Sequence, residues 1–121
     1  MANEITINLT VNVSNGEYKY QFSKNSLVTQ AVVGAASGIA SIGTSEENLS
    51  LGDVATNGFL LLQNLDSTNY VDYGLDDASV MKSMGRLMPT EIALLRLKPG
   101  INVRMLANTA AVKVNYCLLN N

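Results

Sequence analysis

Ile5, Ile7, Leu9, Val11 and Val13 alternate with Thr6, Asn8, Thr10, Asn12 and Ser14. Side chains of a strand point to its two faces in turn. Ten residues of unbroken period two therefore commit this segment to β-structure with one apolar face. Asn15-Gly16 follows, the pair favoured in two-residue type I′ hairpin turns. Glu17 to Ser23 alternates again, with Tyr18, Tyr20 and Phe22 on one face. A turn at 15–16 pairs Ser14 with Glu17, Val13 with Tyr18, Val11 with Tyr20 and Leu9 with Phe22. Every apolar residue then meets an apolar one, which predicts a hairpin with one dry face and one wet face.

The strongest apolar run is Phe59-Leu60-Leu61-Leu62, within a stretch from Gly58 to Leu75. It is apolar at both parities, so the spacing predicts a strand covered on both sides. Asn64 to Asn69 is a polar turn, and Tyr70-Val71-Asp72-Tyr73 returns as strand, making a central hairpin. The hairpin 3–23 is the expected inner cover. The outer cover is either the loop Gly34–Gly43 or another subunit, and the subunit is the reading preferred here. The interface expected on this ground comprises Leu60 and Leu62 on the strand, with Asn64, Asp66, Asn69 and Tyr70 in the turn.

Elsewhere Lys24-Asn25-Ser26 reads as a turn and 27–33 as a strand. Gly34 to Gly43 is Gly-, Ala- and Ser-rich, either a bulged strand or a loose covering loop. A short strand at 48–51 is followed by a Gly52-Asp53 turn. Asp76 or Asp77 caps a short helix through Met84 in one reading of 76–88, with Met81, Met84 and Met88 filling the core. The other reading makes these methionines an adaptable contact surface. Ile92 to Leu97 is a strand. Ile101 to Asn121 reads as a hairpin turning at Asn108-Thr109, with Met105 opposite Val112 and Val103 opposite Val114. That register sets Arg104 against Lys113, and like charges across a ladder destabilise. Either the turn is longer, or these two cations face an anionic partner. The sum is about eight strands: an all-β chain, an antiparallel β-sandwich of jelly-roll type, as one domain over 1–121.

Composition narrows the function. Charged residues make up 15% of the 121, and fourteen residues are Asn. Turn formers in place of charge favour β-structure over solvated helices. A net charge of −2 with no two basic residues adjacent argues against a nucleic-acid partner. No His is present, which removes triads and the commonest metal ligand. Cys117 is the single cysteine, so no internal disulfide forms. Asp66, Asp72, Asp76 and Asp77 match no calcium-loop spacing and read as turn residues. The expectation is a non-enzymatic chain with no cofactor and no metal. With no signal or membrane-length apolar run, it is expected to be made in a cytosol.

Three segments carry a resemblance. They are Gly58-Phe-Leu-Leu-Leu-Gln-Asn-Leu-Asp-Ser-Thr-Asn-Tyr-Val-Asp-Tyr-Gly74, Leu95-Arg-Leu-Lys-Pro-Gly100, and Ala107-Asn-Thr-Ala-Ala-Val-Lys-Val114. Together with the start Met-Ala-Asn-Glu-Ile-Thr-Ile, they resemble small structural virion proteins of tailed bacteriophages, most of all capsid decoration (cement) proteins. The resemblance covers about the second half of the chain, and Met81 to Met88 departs from it. It implies a dimer or trimer that clamps neighbouring major capsid proteins on the virion surface, after synthesis in the bacterial host cytoplasm. A tail, neck or fibre-attachment component is the second reading. A carbohydrate-binding jelly-roll module is the third, weakened by the absence of Trp.

Overall fold

A computed structural model describes residues 3–49, 54 and 56–121. Among the described residues the chain is all-β and antiparallel, with ten strands and no helix. They are β1 (Ile5–Asn15), β2 (Tyr18–Val28), β3 (Ala35–Ile42), β4 (Glu47–Asn48), β5 (Asn57–Asn64), β6 (Val71–Asp77), β7 (Val80–Leu87), β8 (Ile92–Arg96), β9 (Val103–Ala107) and β10 (Val112–Asn120). The chain divides into two compact units, Met1–Ala31 and Val32–Asn121. The sheets expected to share one domain over 1–121 are thus divided between two units.

The first unit is the β1–β2 hairpin, paired from Ile5 opposite Val28 to Asn15 opposite Tyr18. Its turn is Gly16-Glu17, one residue later than expected. Gly16 has a φ of 59° at the first central position, where a type II′ turn places glycine. Moving the turn by one residue shifts each pairing by two. Val13 therefore faces Tyr20, and Val11 faces Phe22. Parity survives, so the same side chains share a face. The turn expected at 24–26 does not form, and β2 runs through it to Val28; residues 29–33 are not strand. The apolar face is not dry: Leu9, Val11, Val13, Tyr18, Tyr20 and Phe22 are 39–63% exposed.

The second unit holds two four-stranded sheets, ordered β3-β10-β5-β8 and β4-β9-β6-β7. Both contribute inward side chains to one core. Ile42, Leu60, Leu62, Val114 and Leu118 come from the first sheet, and Val71, Leu87, Val103 and Met105 from the second. Leu49 and Val54, between β4 and β5, are also in it. The rest of the strand expected at 48–51 and the Gly52-Asp53 turn lie outside the described residues. Gly34–Gly43 resolves as a strand, β3, rather than a loop.

Two expected hairpins do not exist. β5 and β6 lie in different sheets, and so do β9 and β10. Only β6 and β7, joined through Ala78-Ser79, are consecutive partners within the second unit. Apolar residues of β9 and β10 share one buried core from different sheets rather than one ladder. Met105 and Val112 are both completely buried there. Alternation matched them for the wrong reason, because inward positions of facing sheets share the period of neighbouring strands.

The expected helix in 76–88 is strand β7. Ala78 and Ser79 have φ of 52° and 68°, two successive left-handed residues that close a tight turn. At the nearby bulge, where Tyr73 faces Gly85 and Gly74 faces Ser83 so that Met84 is the extra residue of β7, a Cβ on Gly74 would overlap the Lys82 carbonyl. Only glycine permits that approach. Met84 and Met88 are exposed, so the core-filling role expected of them fails.

Candidate interface

The segment between β5 and β6 carries four of the residues expected at an interface. Asn64 ends β5 and is completely buried. Its Nδ2 donates to the carbonyls of Asn69 (3.0 Å) and Leu87 (3.1 Å), and its Oδ1 accepts from the Asp66 N–H at 2.8 Å. Asp66 Oδ1 accepts from the backbone N–H of Thr68 (2.7 Å) and Asn69 (2.8 Å) and from the Thr68 hydroxyl (3.0 Å). The Thr109 hydroxyl donates to Asn69 Oδ1 at 3.0 Å, tying in the β9–β10 connection. The Arg86 guanidinium covers the Tyr70 ring, 3.8 Å from its centroid. This corner carries the chain from one sheet to the other, and its polar groups are largely spent on doing so.

The backbone N–H groups of Asn69 and then Thr68 hold the Asp66 carboxyl below its ordinary value. A depressed folded pKa stabilises above the unfolded pKa, about 3.9, and the contribution is lost as pH falls through the folded value. We expect the stability difference between the protein and its Asp66→Asn variant to be constant at neutral pH and to shrink below about pH 4. Urea unfolding across that range measures it. A gap that widens on acidification would contradict the assignment.

The outward face of β4-β9-β6-β7 is ion-paired. Arg86 grips Asp72 through Nε–Oδ1 at 2.6 Å and Nη2–Oδ2 at 3.2 Å. The hydrogen bond to Asp72 raises the Arg86 pKa further. Arg104 lies 3.5 Å from Asp76 Oδ1 and 3.9 Å from Glu46 Oε1, and its Nη1 also donates to Asn48 Oδ1 at 3.3 Å. The cation expected to meet an acidic partner thus has carboxylates of its own chain. Lys113 is on the other sheet, opposite Ser41 of β3, so the feared repulsion with Arg104 does not arise.

The outward face of β3-β10-β5-β8 is different. Leu60 and Leu62 are 0% exposed and point into the core, so they cannot contact a partner. The alternate parity points out: Leu61 is 42% exposed and Phe59 half-buried. Leu61 is flanked by Cys117 on β10 and Leu94 on β8, and Gln63 by Asn115 and Ile92. Ile39 on β3 faces Asn115 from the other side. Leu94 (43%) and Ile92 (69%) extend an open, mainly apolar surface around Leu61, and Ile39 (64%) lies beyond the Asn115–Gln63 pair, whose side chains are hydrogen-bonded at 3.4 Å. Its charged residues are Lys113 and Arg96, and the Arg96 guanidinium sits 4.9 Å from the Phe59 ring centroid. No carboxylate lies on it.

The second cover expected for 59–62 is therefore missing within the described chain, and the outward contact passes from Leu60 and Leu62 to Leu61. The signal was present in the run itself, which is apolar at both parities. Ile39, Ile92 and Leu94 were missed because only the sheet order places them beside it. Among the described residues, no group of three His, Cys, Asp or Glu side chains is placed to hold a metal ion. No family model, curated protein or solved structure matches the chain.

Proposed function

We propose that this chain is a bacteriophage virion structural protein, a capsid decoration protein that binds across major capsid protein boundaries and stabilises the shell. The observation that carries the reading is the open apolar face of β3-β10-β5-β8. Contiguous apolar patches of this kind mark protein interaction sites. The opposite sheet neutralises its charges internally, so the two faces differ in what they offer a partner. The strand order supports a jelly roll: in both sheets early and late strands interleave, β3 beside β10 and β4 beside β9. Double-sheet jelly rolls recur in viral capsid and lectin domains.

On this sheet face a carbohydrate site is disfavoured. Sugar sites stack on open aromatic rings, and the one ring on this face, Phe59, has Arg96 over it. A tail, neck or fibre-attachment role uses the same kind of face and differs in copy number. The expected partners are the major capsid protein and further copies of this chain, at the capsid surface of the virion. Catalysis, cofactors, nucleic acid and membrane play no part in this reading.

Leu61→Asp tests it. The side chain is outward, so the fold is retained, and a charge enters the centre of the contact. Co-sedimentation with shells of the major capsid protein is expected to show about 10- to 100-fold weaker binding, the cost of losing a hot-spot contact. Wild-type binding by a folded Leu61→Asp variant would sink the sheet-face contact.

A further inference from the structure

The hairpin β1–β2 supplies no residue to the buried core, which begins at Ala36. It is a ribbon of two eleven-residue strands. Two-stranded hairpins are marginal in water, and a lasting one needs a cover over its apolar face. Here that face is Leu9, Val11, Val13, Tyr20 and Phe22, with Tyr18 at the tip, all exposed. We propose that this face is a self-association surface, and that its occupant is the same face of a second copy of this chain.

Charge and area favour a second copy. The face carries no carboxylate, and its one charge is Lys24, opposite Leu9. A two-fold contact centred on the Val11–Phe22 pair sets each Lys24 toward the partner's Val13–Tyr20 row. The two ammonium groups then stand ~13 Å apart along the strands, at 3.3 Å per residue. That exceeds the screening length of about 8 Å at physiological salt. The aromatic ring opposite Lys24 is a favourable neighbour for a cation. A parallel stack would instead bring the lysines together.

Three half-exposed aromatic rings offer roughly 300 Å² per copy, given 150–250 Å² for a buried ring. Leu9, Val11 and Val13 add to this, and a pair then approaches the lower range of specific interfaces, about 1,200 Å² in total. The opposite face is mostly Thr, Asn, Ser and Gln, with the Thr10 and Ser23 hydroxyls 3.3 Å apart, and its one large apolar side chain, Leu27, stands alone opposite Thr6, so it offers far less apolar area. A hairpin that needs its cover whenever the chain is folded is best served by a partner always present, another copy.

Sedimentation of the purified full chain, without capsid, tests this independently of the shell-binding role. We expect a reversible dimer, at least tenfold weaker dimerisation in Val11→Asp, and no change in Asn12→Asp on the polar face. No hairpin residue belongs to the buried core, so these variants should keep the circular dichroism and melting of the 32–121 unit. If Val11→Asp fails to fold, Tyr20→Gln is read in its place. A protein monomeric up to about millimolar concentration, where even weak contacts of ~4 kcal/mol appear, overturns the proposal. So does a folded Val11→Asp that dimerises like wild type, or an Asn12→Asp as weakened as Val11→Asp.

Discussion

Leu60→Asp is expected to leave no folded 32–121 unit at neutral pH. Leu60 is 0% exposed, between Leu118 of β10 and Leu95 of β8, with its side chain in the shared core. A carboxylate there has no cation or donor to meet it, and burying an unpaired charge costs several kcal/mol or more. Domain stability is only about 5–15 kcal/mol. Leu60→Ala, which removes the same contacts without adding charge, should cost about 2–5 kcal/mol and still fold. Near-ultraviolet and far-ultraviolet circular dichroism with urea titration separate the two. The neighbouring Leu61→Asp is expected to unfold at nearly the wild-type midpoint. If Leu60→Asp folded as well as Leu61→Asp, the inward and outward parities of β5 would be assigned wrongly.

Asn64→Leu should be the next most damaging change. The substitution keeps the branched shape, with larger methyl groups in place of the amide, and deserts two backbone carbonyls, Asn69 and Leu87, and the Asp66 N–H. An unsatisfied buried polar group costs about 1–3 kcal/mol, so the variant is expected to lose about 3–5 kcal/mol. Asn64→Asp should also be costly at neutral pH, because it keeps the acceptor but turns a carboxylate toward the two carbonyl oxygens in a site that is 0% exposed. Urea midpoints measure both. A loss under about 1 kcal/mol for Asn64→Leu would mean the corner is not held by this side chain. The residue was expected at a partner contact, and its burial makes it instead the device that turns the chain from β5 to β6.

Local pattern in the sequence carried the elements further than it carried their partners. The period-two run at Ile5–Val13 and the Gly16 turn made the first hairpin readable, with an error of one turn residue. The run at 59–62 made β5 readable. What failed was the assumption that consecutive strands pair. Val103, Met105, Val112 and Val114 satisfy the same alternation whether they neighbour one another in a sheet or face one another across a core. Only long-range pairing distinguishes the two, such as Val114 with Asn64 and Ala40. The methionine spacing in 81–88 mimicked a helix face, while Gly85 lies within strand β7 and the left-handed Ala78-Ser79 turn joins it to β6. For the same reason the outward surface was half legible. Leu61 is visible in one run, whereas Ile39, Ile92 and Leu94 join it only through the sheet order.

In the proposed role, the open face of β3-β10-β5-β8 is used many times over the surface of a shell. Copy number measures this most directly. If the chain is the virion protein proposed above, its amount in purified virions is compared by quantitative gel with that of the major capsid protein. A decoration role predicts a ratio near one copy per major capsid subunit. A few copies per particle would contradict the decoration role and move the chain to the tail or neck.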